Sequence, residues 1–347
     1  MPLAPKHKIT ALLDRDDPAL KDVMARYAVA VTEDVLATMD VQDPHDPVAR
    51  QYLPGAAEAV TTPDENDDPI GDAAHSPVKG IVHRYPDRVL LKPVHVCAVY
   101  CRFCFRREMV GPGSEMLSAA ELEAALDYIR HAPHVWEVIL TGGDPLVLSP
   151  RRLQYIMQAL SAMPHVGVIR IHTRVPVADP SRVTGDMIAA LQSDKAVYVA
   201  LHANHANELT DKVKAVCDRF IRAGIVLLSQ STLLRGVNDK AEILEALFRK
   251  LTAMKVKPYY LHHPDLAPGT SHFRLPIAEG QEIFRRLQGR LSGVALPRYM
   301  LDIPGGFGKV PVEPRWVEKA ENGYAVTDMQ GGTHPYETVS SGDEKTD

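Results

Sequence analysis

Six apolar runs rich in β-branched residues recur between residues 89 and 262, and helical patterns lie between them. The runs are VLLKPV (89–94), EVILTGG (137–143), GVIRIHT (167–173), AVYVALH (196–202), GIVLLSQS (224–231) and VKPYYLH (256–262). Strands that alternate with helices form a parallel sheet, and right-handed crossovers allow such a sheet to curl into a barrel. We therefore predict an α/β fold with a partial (β/α)6 barrel, whose chemistry collects at the carboxyl ends of its strands.

The predicted helices carry recognisable end signals. Ser118 and Glu121 have the spacing of a capping box, and Pro150 stands in the first turn of the next helix. Gly224 follows a later helix as a stop, and Asn238 is placed to cap the helix after it. These signals support the alternation of strands and helices.

The sequence divides into three predicted parts. Residues 1–80 form a helical extension, in which residues 17–39 have the spacing of one helix with a single apolar face. Residues 81–315 hold the barrel and a glycine-rich loop that contains a lysine. Residues 316–347 form a C-terminal segment that is polar and rich in Gly and Ser past residue 328, and we expect a disordered tail there.

The net charge is −5 over 347 residues, which gives no electrostatic reason to expect a nucleic acid or a membrane as partner. No apolar run approaches the roughly 18 residues of a membrane span. The first twenty residues lack the apolar core of a secretory signal. We therefore expect a cytoplasmic protein, a location that suits an oxygen-sensitive metal centre.

Polar side chains recur where the predicted strands end. After the first strand comes a cysteine-rich loop, and after the later strands come Gly142, Gly143 and Asp144; His172, Thr173 and Arg174; His202, Asn204 and His205; Gln230; and His262, His263 and Asp265. Strand ends are often polar because they leave the sheet toward solvent, but a repeated set at one end of a barrel is typical of an active site.

The chain has four cysteines, and three of them lie in one short loop. The cysteine loop (residues 95–108, HVCAVYCRFCFRRE) spaces Cys97, Cys101 and Cys104 as C-x3-C-x2-C. Full ligation of a [4Fe–4S] cluster takes four cysteines, so three leave one iron open for a substrate. The alternative is a structural zinc site with His95 as a further ligand. The fourth cysteine, Cys217, lies on the apolar face of a helix and is predicted to be a core thiol.

The cysteine spacing and its position after the first strand resemble the radical SAM superfamily. In that family the open iron binds the amino and carboxylate groups of S-adenosylmethionine, and an electron from the cluster cleaves the S–C5′ bond to give a 5′-deoxyadenosyl radical. The segment TGGDPL (141–146) resembles the family's GGE-type motif, with Asp in place of the commoner Glu. The resemblance implies that Gly142, Gly143 and Asp144 contact S-adenosylmethionine.

A glycine-rich segment follows the last predicted strand, RYMLDIPGGFGKVPV (298–312). It is not a nucleotide-binding P-loop, because Val310 stands where a Ser or Thr would coordinate magnesium. Lys309 is instead a candidate Schiff-base lysine, with a solvated loop lysine as the alternative.

A wider resemblance covers roughly residues 45 to 315. The motifs HRYPDRVLL, CAVYCRFCFRR, TGGDPL, RIHTRVPV, LHANHANE, QSTLLRGVND, PYYLHHPDLAPGTSHFR and DIPGGFGKVPV are similar, in this order, to those of lysine 2,3-aminomutases. The resemblance implies three cofactors: a [4Fe–4S] cluster, S-adenosylmethionine and pyridoxal 5′-phosphate. By the same resemblance Lys309 carries pyridoxal phosphate, Arg88 lies near its phosphate, and His202 and Gln230 lie near S-adenosylmethionine.

Three charged residues bear on the substrate. By resemblance Arg106 holds the α-carboxylate of the amino acid, and Asp265 and Asp302 hold the distal ammonium of lysine. Two carboxylates in a closed pocket repel one another unless a cation lies between them, which a lysine side chain supplies and a glutamate side chain does not. The resemblance thus implies an isomerase that converts L-lysine to β-lysine by moving the amino group from the α- to the β-carbon.

Two positions depart from the pattern of the family: Phe103 replaces a histidine near the adenine, and His262 replaces a tyrosine near the cofactors. Three alternatives stay open, namely the lysine 2,3-aminomutase associated with elongation factor P, a 2,3-aminomutase for another amino acid such as glutamate, and a non-catalytic metal-binding scaffold. We expect an electron donor such as flavodoxin or ferredoxin, and a homo-oligomer.

Overall fold

The computed structural model describes residues 17–111, 116–320 and 323–336. Within these residues the main sheet has nine strands whose spatial order is their chain order. The strands are β1 (Ile81–Tyr85), β2 (Arg88–Val94), β3 (Glu137–Gly142), β4 (Val168–Thr173), β5 (Ala196–His202), β6 (Val226–Thr232), β7 (Lys257–His262), β8 (Arg298–Ile303) and β9 (Gly308–Pro311). Strands β2 to β8 run parallel, and the hairpins β1–β2 and β8–β9 form the two edges.

Helices connect the parallel strands, and three short α-helices lie in the described part of the N-terminal segment, before β1. The α-helices are α1 (Pro18–Arg26), α2 (Glu33–Leu36), α3 (Ala49–Tyr52), α4 (Ala119–Arg130), α5 (Pro150–Ser161), α6 (Val175–Ala178), α7 (Gly185–Ala190), α8 (Asp211–Arg222), α9 (Ala241–Ala253) and α10 (Ile277–Gln288). Short 3-10 helices cover Ala56–Ala59, Ala73–His75, Pro145–Val147, Pro180–Arg182, Ala206–Glu208 and Ser271–Phe273. The predicted barrel is confirmed, with β8 as an additional parallel strand.

The two edge hairpins nearly close the barrel. The Lys309 backbone N–H of β9 donates to the Tyr85 hydroxyl of β1 at 2.7 Å. Gly71, just before the first hairpin, packs against the β8–β9 turn so tightly that a Cβ added to it would lie 2.5 Å from the Gly306 nitrogen. The sheet therefore comes together through these contacts along one seam.

Several helix ends follow the sequence signals. Ser118 and Glu121 form the capping box of α4, and Pro150 opens α5. Gly224 follows α8 with a φ of 76°, a backbone conformation that favours glycine. Cys217 is 1% exposed and packs in the core, as predicted.

The predicted Asn238 cap is wrong, because α9 begins at Ala241 with Lys240 at its N-cap. The buried Asn238 side chain accepts from Leu234 N–H and donates to the Asn204 and Thr232 carbonyls. Its amide therefore joins the loops after β5 and β6, which leaves it no role at the helix end.

The single helix predicted over residues 17–39 is also wrong. Helix α1 ends at Arg26, and α2 begins after Thr32, whose hydroxyl accepts from Val35 N–H. The carbonyls between the two helices bind the cysteine loop instead of a helical turn: Ala28 O accepts from the Arg102 guanidinium at 3.0 Å, and Ala30 O accepts from Tyr100 N–H at 3.2 Å. Tertiary hydrogen bonds thus interrupt a segment with helical spacing.

The C-terminal segment differs from the expected disordered tail. Three strands of this segment form a separate antiparallel sheet, namely β10 (Val317–Ala320), β11 (Gly323–Thr327) and β12 (Thr333–Tyr336). Residues 337–347, where disorder was also expected, lie outside the described residues. The domain boundaries at residues 80 and 315 stay predictions.

Across the described ranges, every helix is too short or too polar to cross a membrane.

Candidate active site

A cavity of about 470 Å³ lies inside the barrel and extends from Arg88 and Glu137, at the amino ends of β2 and β3, to the residues at the carboxyl ends of the parallel strands. Every predicted site residue lines it: Cys97, Cys101, Cys104, Gly142, Gly143, Asp144, His202, Gln230, Arg88, Arg106, Asp265, Asp302 and Lys309. They come from loops and strands that are far apart in sequence, so the barrel alone brings them together.

The strand-end residues that carry no predicted role divide into two groups. His172, Thr173, Arg174 and His262 line the cavity. His263 and Asn204 are bonded within the protein interior, where His263 hydrogen-bonds the Tyr299 hydroxyl at 2.7 Å and Asn204 accepts from Thr232 N–H. His205 is partly exposed and accepts from Asn207 N–H.

Residues of the N-terminal segment, before β1, bind the cysteine loop. Glu58 accepts from the Arg102 guanidinium at 2.5 to 3.0 Å and also binds Arg107, and all three side chains are at most 4% exposed. Gln51 O accepts from the Arg102 backbone N–H at 2.8 Å. Arg107 lies 3.5 Å from the Tyr27 ring. These contacts fix the backbone that carries the three cysteines.

The three cysteines of the loop are half-buried, and loss of solvent around its thiol raises the pKa of Cys104 to about 11. Among the described residues, no three Cys, His, Asp or Glu side chains are grouped to hold a single metal ion. A zinc ion would need its sulfur ligands about 2.3 Å from one centre. A cubane cluster spreads its ligands over separate irons, so three cysteines on one cavity wall fit a cluster better than the zinc alternative.

Gly142 and Gly143 allow the β3 loop to pack directly on the cysteine loop. A Cβ on Gly142 would lie 2.6 Å from Val94 O, and one on Gly143 would lie 2.4 Å from Val96 O. Gly142 also has a φ of 109°, which favours glycine. Larger residues would push the two loops apart and open the wall beside the cysteines.

The Asp144 side chain is fully engaged within the protein. It accepts from Leu146 N–H, the Thr173 hydroxyl and the N–H groups of Arg174 and Val175, at 2.6 to 3.0 Å. Burial nevertheless raises the pKa of Asp144. Its carboxylate thus joins the ends of β3 and β4, and the backbone of this motif is the part available to a ligand.

Lys309 lies in β9, directly opposite Asp302 of β8, and its ammonium binds the Asp302 carboxylate. The turn between the strands contains Gly305 and Gly306, and β9 begins at Gly308; their φ values are 85°, 89° and 95°. A Cβ on Gly306 would lie 2.7 Å from the His75 ring. The glycines therefore allow a tight turn that places the lysine against the cavity.

Two carboxylates and Lys309 share one part of the cavity. Burial, together with the nearby Asp302 charge, raises the pKa of Asp265 to about 7. Asp302 also accepts from Arg84 at 3.4 Å. The site thus contains one acid that is half-protonated near neutral pH and one that is paired with cations.

Arg106 forms an ion pair that the sequence analysis missed. Its Nε and Nη2 donate to Asp72 at 3.2 and 2.8 Å, and Asp72 is 2% exposed. Arg84 and Lys92 also approach Asp72, at 3.1 and 3.6 Å. Asp72 lies outside the motifs named above. Arg84 lies in the motif HRYPDRVLL and in the unpredicted strand β1, but no role was predicted for it.

Two buried histidines stay neutral in the cavity. Burial lowers the pKa values of His202 and His262 to about 3. The Nε2 of His262 hydrogen-bonds Gln230 Oε1 at 3.1 Å. Phe103 stands 5.7 Å from the His202 ring, measured between ring centroids. The two departures from the family pattern, Phe103 and His262, therefore contact the residues expected to lie near S-adenosylmethionine.

Arg88 borders the other side of the cavity. Its guanidinium stacks over the Tyr85 ring at 3.8 Å and donates to Asp87 at 2.8 Å. One face of this cation thus rests on an aromatic ring while the side chain borders the open space. A guanidinium in such a position suits a phosphate.

Comparisons with known proteins agree with this site. Residues 91–247 match the model of the radical SAM superfamily. The L-lysine 2,3-aminomutase of Acetoanaerobium sticklandii is 39% identical over 310 residues, which are 89% of this chain and 75% of that protein. The L-lysine 2,3-aminomutase of Clostridium subterminale is also 39% identical over 310 residues, 89% of this chain and 74% of that protein.

A relative with a different named substrate matches as well. The glutamate 2,3-aminomutase of Clostridioides difficile is 33% identical over 319 residues, which are 92% of this chain and 75% of that protein. Radical SAM enzymes carry a [4Fe–4S] cluster and use S-adenosylmethionine, and the lysine 2,3-aminomutases also use pyridoxal phosphate. The relatives act on different amino acids but are all 2,3-aminomutases by name. From these identities and the matching superfamily model, this chain belongs to the lysine 2,3-aminomutase family and is a radical SAM 2,3-aminomutase, an isomerase.

Proposed function

We propose that this enzyme converts L-lysine to β-lysine. The observation that carries the proposal is the pair of carboxylates, Asp265 and Asp302, which line the same cavity as Lys309 and Arg106. The distal ammonium of lysine supplies a further cation beside the two carboxylates, where burial and the Asp302 charge raise the pKa of Asp265.

The proposed roles follow from position and charge. Cys97, Cys101 and Cys104 hold the cluster, whose chemistry when S-adenosylmethionine is bound is reductive cleavage to a carbon radical. Gly142, Gly143 and Asp144 form the wall beside it, and His202 and Gln230 border the nucleoside. Lys309 carries pyridoxal phosphate, whose ring stabilises an unpaired electron during migration of the amino group, and Arg88 borders its phosphate.

Arg106 binds the α-carboxylate of the substrate in this proposal. Its Nε and Nη2 edge is occupied by Asp72, which orients the guanidinium. The two N–H groups of Nη1 and the second N–H of Nη2 remain available to the substrate. The protein thus orients both ends of lysine and excludes water from the reacting carbons.

Asp302 has two partners before lysine binds, namely the Lys309 ammonium and Arg84. When Lys309 carries the cofactor, its nitrogen is no longer a free ammonium for Asp302. We infer that cofactor loading therefore releases the Asp302 carboxylate for the substrate ammonium, so cofactor and lysine bind in that order.

Glutamate fits this cavity poorly. Its side-chain carboxylate would meet Asp265 and Asp302, and the cation Arg84 is already paired with Asp72 and Asp302. The electron that starts the reaction comes from an external donor, for which a flavodoxin or ferredoxin is the candidate class. The elongation factor P alternative concerns the use of β-lysine and leaves this reaction unchanged.

An anaerobic assay tests the substrate directly. The reconstituted enzyme is incubated with S-adenosylmethionine, dithionite and lysine, glutamate or another amino acid, and β-amino products are measured by mass spectrometry. We expect β-lysine as the main product. Preferential formation of β-glutamate would overturn the lysine proposal, and one zinc per chain with no bound pyridoxal phosphate would favour the scaffold alternative.

The affinity for lysine is expected to rise with pH to at least about pH 7. Lysine binding requires the charged form of Asp265, whose pKa is about 7 in the ligand-free site, so binding releases a proton below that pH. The dissociation constant should fall about tenfold per pH unit between about pH 5 and pH 6.5. In the cofactor-loaded enzyme the Lys309 ammonium no longer lowers the pKa of Asp265, so this slope extends to higher pH before it levels off. His202 and His262, with pKa values of about 3, do not titrate in this range.

Equilibrium binding of lysine to cofactor-loaded enzyme, measured without a reductant, checks this pH dependence. Asp265→Asn is the matched control, since it keeps the shape of the side chain and cannot ionise. The variant should bind lysine roughly 10- to 100-fold more weakly at pH 8, the loss of about 1.5–3 kcal/mol from one charged hydrogen bond. A pH slope that persists in Asp265→Asn would contradict the assignment.

A further inference from the structure

Arg174 contacts one of the cluster cysteines directly. Its Nη1 donates to Cys101 Sγ at 3.2 Å, and its side chain is 7% exposed. The residue follows β4, where its backbone N–H is held by Asp144 at 2.6 Å. A permanent cation is therefore fixed against a cysteine sulfur in the interior.

A single carboxylate balances this cation. The Nη2 of Arg174 donates to Glu208 at 2.6 Å and to the Gln51 side-chain oxygen at 2.7 Å. Glu208 is 2% exposed, and its other oxygen accepts from the N–H groups of Asn204 and His205 at 2.8 Å. Both partners are thus held by several hydrogen bonds, so the pair has one geometry.

The contact has a consequence for the cluster. The reduction potential of an iron–sulfur cluster depends on net charge and on hydrogen bonds to its sulfurs. The reduced cluster carries one more negative charge than the oxidised one, so a guanidinium that donates to a ligand sulfur stabilises the reduced form. A carboxylate behind that guanidinium opposes the effect.

We propose that Arg174 raises the reduction potential of the cluster through its contact with Cys101, and that Glu208 limits this increase. Arg174 is thus a tuning residue that acts through a cluster ligand. The proposal rests on the proposed cluster site at the three cysteines, and it does not depend on which amino acid the enzyme uses.

The test compares the reduction potentials of reconstituted full-length variants, titrated with dithionite and followed by electron paramagnetic resonance without S-adenosylmethionine. Arg174→Gln removes the cation and should shift the potential to more negative values. Glu208→Gln leaves the cation unopposed and should shift it to more positive values. Opposite signs are the decisive result, because a general loss of structure would move both variants in one direction.

A matched control and a second variant complete the test. Glu65 is a buried carboxylate that binds Arg274 and the Gly269 N–H, so Glu65→Gln should leave the potential unchanged. The double variant Arg174→Gln/Glu208→Gln avoids a lone buried charge and should give a potential between those of the single variants. Its potential remains measurable if a single variant does not fold.

Iron content separates this proposal from the cluster assignment. Wild-type protein that fails to bind about four irons per chain would contradict the cluster site itself. Variants that bind the cluster normally but share the wild-type potential, or shift together, would overturn the role of Arg174 and leave the cluster site standing.

Discussion

Replacing Lys309 with alanine is expected to reduce turnover below detection. The side chain is the only lysine that lines the described cavity, and no other primary amine there can bind the aldehyde of pyridoxal phosphate. Borohydride reduction of the wild-type enzyme should fix the cofactor on the peptide that contains Lys309, as seen by mass spectrometry. The variant should give no labelled peptide.

The cluster provides the control for this variant. Lys309 is far from the cysteine loop in sequence and is not a predicted ligand of the cluster, so Lys309→Ala should keep the iron content and the visible spectrum of the cluster. It should also still cleave S-adenosylmethionine slowly when dithionite is added. Turnover at the wild-type rate, or a cofactor fixed on another lysine, would contradict the assignment of Lys309.

Replacing Cys104 with alanine is expected to remove the cluster and with it all cleavage of S-adenosylmethionine. Two thiolates cannot hold a cubane that already has one open iron. Iron analysis and the yield of 5′-deoxyadenosine after anaerobic reconstitution measure both effects. The same result is expected for Cys97 and Cys101.

Cys217 offers a matched cysteine outside the loop. It is buried in the apolar face of α8, so Cys217→Ala should cost roughly 1 kcal/mol of folding free energy and leave iron content unchanged. Thermal unfolding measures this cost. A loss of iron in the Cys217 variant, or full iron in the Cys104 variant, would be incompatible with the proposed ligands.

The parallel core was predictable because its strands are buried on both faces. Such strands appear as continuous apolar runs, and the six predicted runs correspond to β2 through β7 within two residues at each end. Strand β8 was missed because its apolar run is interrupted by Asp302, which is buried and lines the cavity. The edge strands β1 and β9 are short and partly polar, so their sequences give a weak signal.

The predictable part of the site consists of residues in recognisable local motifs. The cysteine spacing and the glycine-rich turns are local patterns that are visible in the sequence alone, and the barrel then brings their residues to one cavity. Asp72, Arg84 and Glu208 were missed because each acts through a partner from a distant segment: Arg106, Asp302 and Arg174. The isolated sequence does not show which distant charges will be buried together.

The position of Lys309 at the seam of the barrel links cofactor binding to the integrity of the sheet. Its backbone contacts Tyr85 on the opposite edge, and the neighbouring glycine turn packs on Gly71. A cofactor fixed to Lys309 and held by Arg88 would connect β9 to β2 across the seam between the two edges of the sheet. Pyridoxal phosphate would then stabilise the closed sheet as well as take part in the reaction. Local unfolding of the cofactor-free enzyme would begin at the seam between β1 and β9.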